Sequence, residues 1–154
     1  MEKPVIKLLG VAPLLLVYDM QVSLDFYCNK LGFSLVSVAG EPPDFIWALV
    51  RLNDVELMME PIYPKDRRPE NPDPLRSAHH RDTVLYFGCP NIDESYSHLK
   101  AHGITLNEPR IAPYGMHQLY FNDPDGYLLC FQYPASDEAF GQWQKWYGKE
   151  FRKL

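Results

Sequence analysis

The feature that most constrains the fold is a pattern that occurs twice along the chain. In each half, a short apolar strand ends at a helix-capping residue, and an amphipathic segment follows and stops at a glycine. The two segments align at three pairs of positions: Asp19 with Asn91, Ser23 with Ser95, and Gly32 with Gly103 to within one residue. Such self-similarity indicates two copies of one supersecondary unit.

Three further strands are predicted after each helix. The segments alternate in polarity, are rich in β-branched and aromatic residues, and are separated by turn residues, which is typical of a meander. They read FSLVSVAG, DFIWALVR and VELMMEP in the first half, and ITLNEPRI, MHQLYFN and YLLCFQYP in the second. We therefore predict an α+β fold of two βαβββ modules.

The remaining segments set the predicted domain boundaries. Residues 62–82 are rich in proline and charge and lack periodicity, which indicates a connector or an exposed loop. Residues 135–154 begin with a capping signature and carry aromatic residues at helical spacing, which predicts a C-terminal helix packed on the body or on a partner. The two modules are expected at 1–61 and 83–134.

Composition excludes several classes of function. A net charge of −5 gives nucleic acid no electrostatic reason to bind. The three cysteines form no C-x-x-C pair, which predicts free thiols in a reducing compartment. The N-terminal apolar run ends at Asp19 without a small-residue cleavage site and is too short to span a bilayer, so we expect a buried strand and a cytoplasmic protein.

Two motifs resemble the vicinal oxygen chelate superfamily, which contains glyoxalases, bleomycin-resistance proteins and extradiol dioxygenases. They are Asp19-x-x-x-Ser23-x-x-Phe26-Tyr27-x-x-x-Leu31-Gly32-Phe33, and Tyr114-Gly115 followed by Phe121-x-Asp123-Pro124-Asp125-Gly126-Tyr127. The resemblance covers residues 8–134 and both repeats. It implies that each module curls into half of an open barrel, that a ligand or metal sits in the concave cup, and that the protein is a homodimer.

The resemblance also implies where a metal would be bound. Metal-dependent members place one ligand in the first strand and one in the last strand of a module. These positions fall on Ala12, Met58, Val84 and Cys130. None is a usual ligand of a hard metal, so we predict no metal and no cofactor. A two-residue shift in the fifth strand would bring in His80 and Asp82, with Glu60 on the parity of Met58, and this alternative stays open.

Aromatic and amphipathic residues on the predicted strands could line the cup and stack on a flat ligand. Glu60 is a candidate acid/base group or a ligand for a cation, or else an exposed edge carboxylate. Cys130 is expected to be a small residue that lines the pocket. The predicted ligand-binding residues are Trp47, Met58, Glu60, Tyr86, Tyr114, His117, Tyr120 and Cys130.

The leading hypothesis is a metal-free protein that resembles bleomycin-resistance proteins and sequesters a planar or cationic small molecule. The alternative is a metal-dependent lyase or isomerase resembling glyoxalase I. An extradiol dioxygenase is less favoured because its iron needs two His and one carboxylate. A third hypothesis is an interaction module in which residues 136–154 bind a partner.

Overall fold

The computed structural model describes residues 5, 6 and 8–147 of the 154-residue chain. It divides into two compact units, residues 1–73 (unit 1) and 74–154 (unit 2). Each unit holds one four-stranded mixed sheet whose first strand runs parallel to its last. The predicted α+β fold of two βαβββ modules is therefore confirmed, and the two sheets stay open rather than closing into a barrel.

Unit 1 has the strand order β1-β4-β3-β2. Its helix begins as an α-helix and continues as a π-helix, and a short 3-10 helix follows the last strand. The elements are β1 (Leu14–Val17), α1 (Met20–Leu24), the π-helix (Asp25–Lys30), β2 (Ser34–Ala39), β3 (Trp47–Leu52), β4 (Val55–Pro61) and the 3-10 helix (Lys65–Arg67).

Local chemistry explains where the first helix begins and ends. The Asp19 carboxylate accepts hydrogen bonds from the backbone N–H groups of Gln21 at 2.8 Å and Val22 at 3.3 Å, as an N-cap residue does. Gly32 has φ +90°, which suits a glycine after a helix end. Between these ends, Met20 and Tyr27 are fully buried, and each such side chain contributes about 1.5–3 kcal/mol through burial.

Unit 2 has the strand order β5-β8-β7-β6. Its elements are α2 (Pro74–His79), a 3-10 helix (His80–Asp82), β5 (Val84–Gly88), α3 (Ile92–Ala101), β6 (Arg110–Ile111), β7 (Met116–Asn122), β8 (Leu128–Pro134) and α4 (Asp137–Tyr147).

The segment 62–82 is more ordered than its sequence predicts, because it contains α2 and two 3-10 helices. Helix α2 packs on the turn between β7 and β8, where the Arg76 guanidinium lies 2.6 Å from the fully buried Asp125 carboxylate. The His80 ring stacks on Tyr127 at 3.8 Å, and its Nδ1 lies 2.7 Å from the Asp125 carbonyl oxygen. We call Arg76, His80, Asp125 and Tyr127 the turn cluster.

The predicted C-terminal helix forms over Asp137–Tyr147, and residues 148–154 lie outside the described part of the chain. The Ser136 hydroxyl accepts a hydrogen bond from the Ala139 N–H at 3.2 Å and so caps the helix. Phe140 and Trp143 pack with Met116 in a buried cluster, so the helix packs on the body of unit 2. Across the described residues, no helix combines the length and the apolar character needed to cross a membrane.

Candidate ligand-binding faces

Each sheet has one face against the helix that follows its first strand, α1 in unit 1 and α3 in unit 2. We call the opposite face of each sheet the cup face. In unit 1 the helix side is aliphatic and buried, as the paired Val50 and Leu57 show. In unit 2 the paired Leu119 and Phe131 and the neighbouring Leu129 have the same role, and Leu119 and Leu129 are fully buried. Because side chains alternate along a strand, residues one position away point to the cup face.

The cup face of unit 2 carries two tyrosines on either side of a cysteine. Tyr86 pairs with Cys130, and Cys130 pairs with Tyr120, so the three residues form one row across β5, β8 and β7. The two tyrosine hydroxyls lie 2.9 Å apart, and their rings meet edge to face at 6.3 Å. Cys130 is fully buried, whereas Tyr86 is 49% exposed.

The buried side-chain amide of Gln118 lies next to this row and connects its hydroxyl groups to further hydrogen bonds. Gln118 is 2% exposed, and its Nε2 donates at 2.9 Å to both the Tyr114 hydroxyl and Gln132 Oε1. Its Oε1 accepts from the Tyr120 hydroxyl at 3.3 Å. The Tyr120 hydroxyl also shares a hydrogen bond with the Tyr86 hydroxyl, in which either oxygen can be the donor. We call these five residues the hydroxyl-amide relay.

A cavity of about 170 Å³ opens beside the relay. It is lined by Asn107, Glu108, Arg110, Gln118 and Tyr120. Arg110 pairs with Gln118 across β6 and β7, so it lies on the same face, and its guanidinium carbon is 5.5 Å from the centre of the Tyr120 ring. The cavity therefore combines an aromatic wall with one cationic, one anionic and two amide groups.

Two titratable groups of this face, Cys130 and Tyr120, stay neutral near pH 7. Burial raises the pKa of the Cys130 thiol to about 11, although hydrogen bonds from Tyr120 and the backbone and the charge of Arg110 act in the opposite direction. Burial, together with the hydroxyl of Tyr86, also raises the pKa of Tyr120. Cys130 thus supplies no thiolate nucleophile near pH 7, and Tyr120 supplies no phenolate base.

The cup face of unit 1 has a different character. Leu16 pairs with Glu60, and Trp47 lies across from Glu60, one step beyond the pairing of Ala48 with Met59. Among the described residues, Glu60 forms no ion pair. Within this part of the chain, Glu60 is therefore a carboxylate without a cationic partner, flanked by apolar and aromatic side chains.

The next rows of the same face complete this picture. Met58 lies between Leu14 and Leu49 in the adjacent row, and Leu14 is 43% exposed. The remaining carboxylate of this face, Glu56, accepts a hydrogen bond from Arg51 Nε at 2.8 Å. Glu60 is thus the carboxylate of this face that remains available to a cation.

The structure brings most of the predicted site residues together within their own units. Tyr86, Tyr120 and Cys130 share one row with Tyr114 attached through Gln118, and Trp47, Met58 and Glu60 lie on the cup face of unit 1. Whether they bind a ligand remains a prediction.

One predicted residue lies on the wrong face. His117 points to the helix side, where its Nε2 is 3.9 Å from the Asp93 carboxylate of α3. Its expected position in the cup is therefore corrected. The alternation of side chains along β7 indicates this, because positions 117 and 120 point to opposite faces of the sheet, whereas positions 118 and 120 point to the same face. The same signal finds Gln118, which sequence reasoning missed together with Arg110.

The family's metal positions do not form a site for a metal. Met58 pairs with Leu14 rather than Ala12, and Cys130 pairs with Tyr86 rather than Val84. In residues 5, 6 and 8–147, no group of three or more His, Cys, Asp or Glu side chains could hold an ion.

The alternative with a shifted fifth strand does not occur. Val84 pairs with Leu128 at the start of β5. His80 and Asp82 lie in the 3-10 helix before this strand, and His80 is held in the turn cluster. The residues present at the family's positions therefore do not fit the metal of metal-dependent members.

Comparison with known families defines the class of this protein. The family model of the Glyoxalase/Bleomycin resistance protein/Dioxygenase superfamily matches residues 10–131. The chain therefore belongs to this superfamily, as the two motifs indicated.

Particular relatives share the sequence or the fold. The "Uncharacterized protein YaeR" of Escherichia coli K12 is 35% identical over 116 residues, which are 72% of this chain and 84% of YaeR. A bleomycin resistance determinant encoded on the transposon Tn5 has a similar structure, with a TM-score of 0.62, 23% identity, and coverage of 82% of this chain and 98% of its own. TnmS3, an antibiotic binding protein from Streptomyces sp. CB03234, has a TM-score of 0.59, 21% identity, and coverage of 84% and 98%. At these identities the two structures show the shared fold.

Proposed function

We propose that this protein binds and sequesters a planar small molecule without a metal, and that the cup face of unit 2 is its main binding surface. The hydroxyl-amide relay is the observation that carries this proposal. The relay holds two tyrosines whose rings remain about half exposed, Tyr86 at 49% and Tyr114 at 53%. Exposed, oriented aromatic rings beside a cavity are what a flat ligand needs for stacking.

The relay also defines which polar groups a ligand would meet. The Tyr86 hydroxyl shares a hydrogen bond with Tyr120 and keeps at least one lone pair that can accept a further hydrogen bond. The Tyr114 hydroxyl accepts from Gln118 and keeps its proton for donation. The face therefore offers one acceptor and one donor at fixed positions, which supports recognition of a ligand with the complementary pair.

Sequestration is favoured over catalysis by the state of the same groups. A nucleophile or a general base needs a pKa near the working pH, whereas the Cys130 thiol has a pKa of about 11 and the pKa of Tyr120 is also raised. The residues at the family's metal positions supply no ligand set. Two proteins of similar structure are a bleomycin resistance determinant and the antibiotic binding protein TnmS3, which supports a binding role for this fold.

The cup face of unit 1 suits a planar group with a positive charge. Glu60 supplies a carboxylate without a cationic partner among the described residues, and the neighbouring Trp47 offers a ring face for a cation–π contact. The net charge of −5 would draw cationic compounds toward the protein. We expect the protein to act as a homodimer, which light scattering coupled to size-exclusion chromatography would measure.

The proposal is tested by equilibrium titration of the purified full chain with bleomycin and with a panel of planar aromatic compounds, followed by intrinsic fluorescence. We expect saturable binding that weakens in Tyr86→Phe and Tyr120→Phe, because each loses a hydroxyl of the relay. Tyr96→Phe is the matched control, since Tyr96 lies on α3. If no planar compound binds, or if the control weakens binding equally, the cup face of unit 2 is not the site.

Metal content provides a second test, by elemental mass spectrometry of untagged protein before and after incubation with nickel, zinc, manganese and iron(II). We expect no stoichiometric retention and no turnover of the hemithioacetal of methylglyoxal and glutathione. Stoichiometric metal that is lost in His80→Ala or Glu60→Gln would instead establish the metal-dependent alternative.

A further inference from the structure

We propose that Arg110 makes the cavity of unit 2 selective for a planar ligand that carries an oxyanion, such as a carboxylate or a sulfonate. This inference rests on the proposed function, because it specifies the chemistry of the ligand at the same face. It assigns to the two cup faces ligand groups of opposite charge.

The position of Arg110 is the first argument. Its strand partner is Gln118, and its guanidinium lies over the Tyr120 ring at 5.5 Å, within the range of a cation–π contact. This contact places the charged group at the wall of the cavity, where it stays exposed to solvent and to a ligand. Burial raises the pKa of the nearby Cys130 thiol, and the positive charge of Arg110 acts in the opposite direction.

The second argument is that the guanidinium is uncommitted. Within the described part of the chain, Arg110 forms no ion pair, although Glu108 lines the same cavity. By contrast, Arg51 on the cup face of unit 1 is paired with Glu56. An arginine that keeps its fork of N–H donors available is well suited to bind a carboxylate or a sulfonate through two parallel hydrogen bonds.

The other polar groups of the cavity leave this role to Arg110. Both donors of Gln118 are used within the relay, by Tyr114 and Gln132. Asn107 adds an exposed amide that can assist with one neutral hydrogen bond. Glu108 opposes an anion, so its replacement by a neutral isostere should strengthen anion binding while that of Arg110 weakens it.

The size of the cavity indicates how the ligand would lie. A volume of about 170 Å³ is smaller than the roughly 300–1,000 Å³ of sites that enclose a drug-sized molecule. The cavity can thus hold the anionic group and part of one ring. The rest of the ligand would lie over the exposed rings of Tyr86 and Tyr114.

The test compares two fluorescent probes that differ by one sulfonate group: 1-anilinonaphthalene-8-sulfonate and its uncharged parent compound N-phenyl-1-naphthylamine. We expect the wild-type chain to bind the sulfonate on the order of tenfold more tightly, the effect of one charge-assisted hydrogen-bond pair at an exposed site. Arg110→Gln should remove this preference, Arg110→Lys should retain part of it, and Glu108→Gln should widen it. Arg81→Gln is the control, because it makes the same change in net charge on the exposed 3-10 helix before β5.

The outcomes separate this inference from the proposed function. If both probes bind equally, and Tyr120→Leu weakens both while Arg110→Gln changes neither, the selectivity is wrong and the binding face stands. If Tyr120→Leu affects neither probe, the binding face itself is wrong. Circular dichroism checks that each variant is folded. If Arg110→Gln does not fold, Arg110→Lys still tests the role of the guanidinium.

Discussion

The two units have the same topology and opposite surface chemistry. On the helix side, both sheets bury aliphatic side chains, because that side must exclude water whatever the protein does. On the cup side, unit 1 has the row Leu14, Met58 and Leu49, whereas the equivalent row of unit 2 has Tyr86, Cys130 and Tyr120. The helix side, which the fold requires to be apolar, is therefore similar in the two units, whereas the side chains of the cup side differ.

The last hairpin turns differ in the same way. In unit 1 the turn between β3 and β4 is the exposed pair Asn53 and Asp54, with Asn53 at φ +53°. In unit 2 the turn between β7 and β8 is enclosed by the turn cluster, and a Cβ added to Gly126 would lie 2.6 Å from the Ser77 carbonyl oxygen. One turn is a simple reversal of the chain, while the other is a packed part of the structure.

The largest expected effect comes from the same substitution in the two turns. Asp125→Ala removes a fully buried carboxylate and leaves Arg76 without its 2.6 Å partner, so the free energy of unfolding should fall by about 2–3 kcal/mol. Asp54→Ala should change it by less than about 0.5 kcal/mol, because Asp54 is exposed. Urea denaturation measures both. Equal losses would mean that the turn cluster does not stabilise unit 2.

A smaller loss is expected when the relay is interrupted. Tyr120→Phe removes the hydroxyl that donates to the buried Gln118 and shares a hydrogen bond with Tyr86. Leaving a buried acceptor unsatisfied should lower the free energy of unfolding by about 1.5 kcal/mol. Tyr96→Phe on α3 should be nearly neutral. A neutral Tyr120→Phe would show that the relay has no energetic role and that the cup faces differ only in shape.

Alkaline pH should affect unit 2 through Cys130, whose counterpart in unit 1 is the non-ionisable Met58. The folded pKa of about 11 lies above the usual thiol pKa of about 8.5 in an unfolded chain. The contribution is therefore fully present below pH 8.5 and is lost as pH rises toward 11, with about 2 kcal/mol of it lost near pH 10. Stability measured against pH should fall less steeply in Cys130→Ala than in the wild type or in Cys89→Ala. Parallel curves would contradict this.

The smallest expected effect tests the charge of unit 1. Glu60→Gln should weaken binding of the planar cation acridine orange about threefold, the contribution of one exposed charge at close range. Glu70→Gln makes the same change in net charge in the exposed segment after β4 and should have no effect. If both variants weaken binding alike, the net charge rather than the Trp47–Glu60 face attracts cations.

Much of the fold could be predicted because its signals are local. Asp19 as a cap and Gly32 and Gly103 at positive φ are all encoded within one turn of chain. The helix α2 in 62–82 could not, since Arg76 pairs with Asp125, which is distant in sequence. The predicted strand ITLNEPRI is reduced to Arg110–Ile111 and a single bridge from Leu106 to Phe121, because Pro109 lacks the N–H of a regular ladder.

The site could be predicted only in part, for a related reason. Aromatic residues at alternating positions revealed Tyr86 and Tyr120. Arg110 and Gln118 have the composition of an exposed surface, and only the pairing of β6 with β7 places them in one cavity. The hydrogen bonds of the relay depend on which side-chain atoms meet across three strands, and no spacing along the chain predicts these contacts.

The relay has a thermodynamic consequence for whatever binds there. Its five side chains are already held by mutual hydrogen bonds before a ligand arrives, and ordering one free side chain on binding costs about 0.5–1.5 kcal/mol. This preorganisation removes much of that entropic cost in advance. Association at unit 2 should therefore be fast and require little rearrangement, so the lifetime of the complex, rather than the rate at which it forms, would distinguish a good ligand from a poor one.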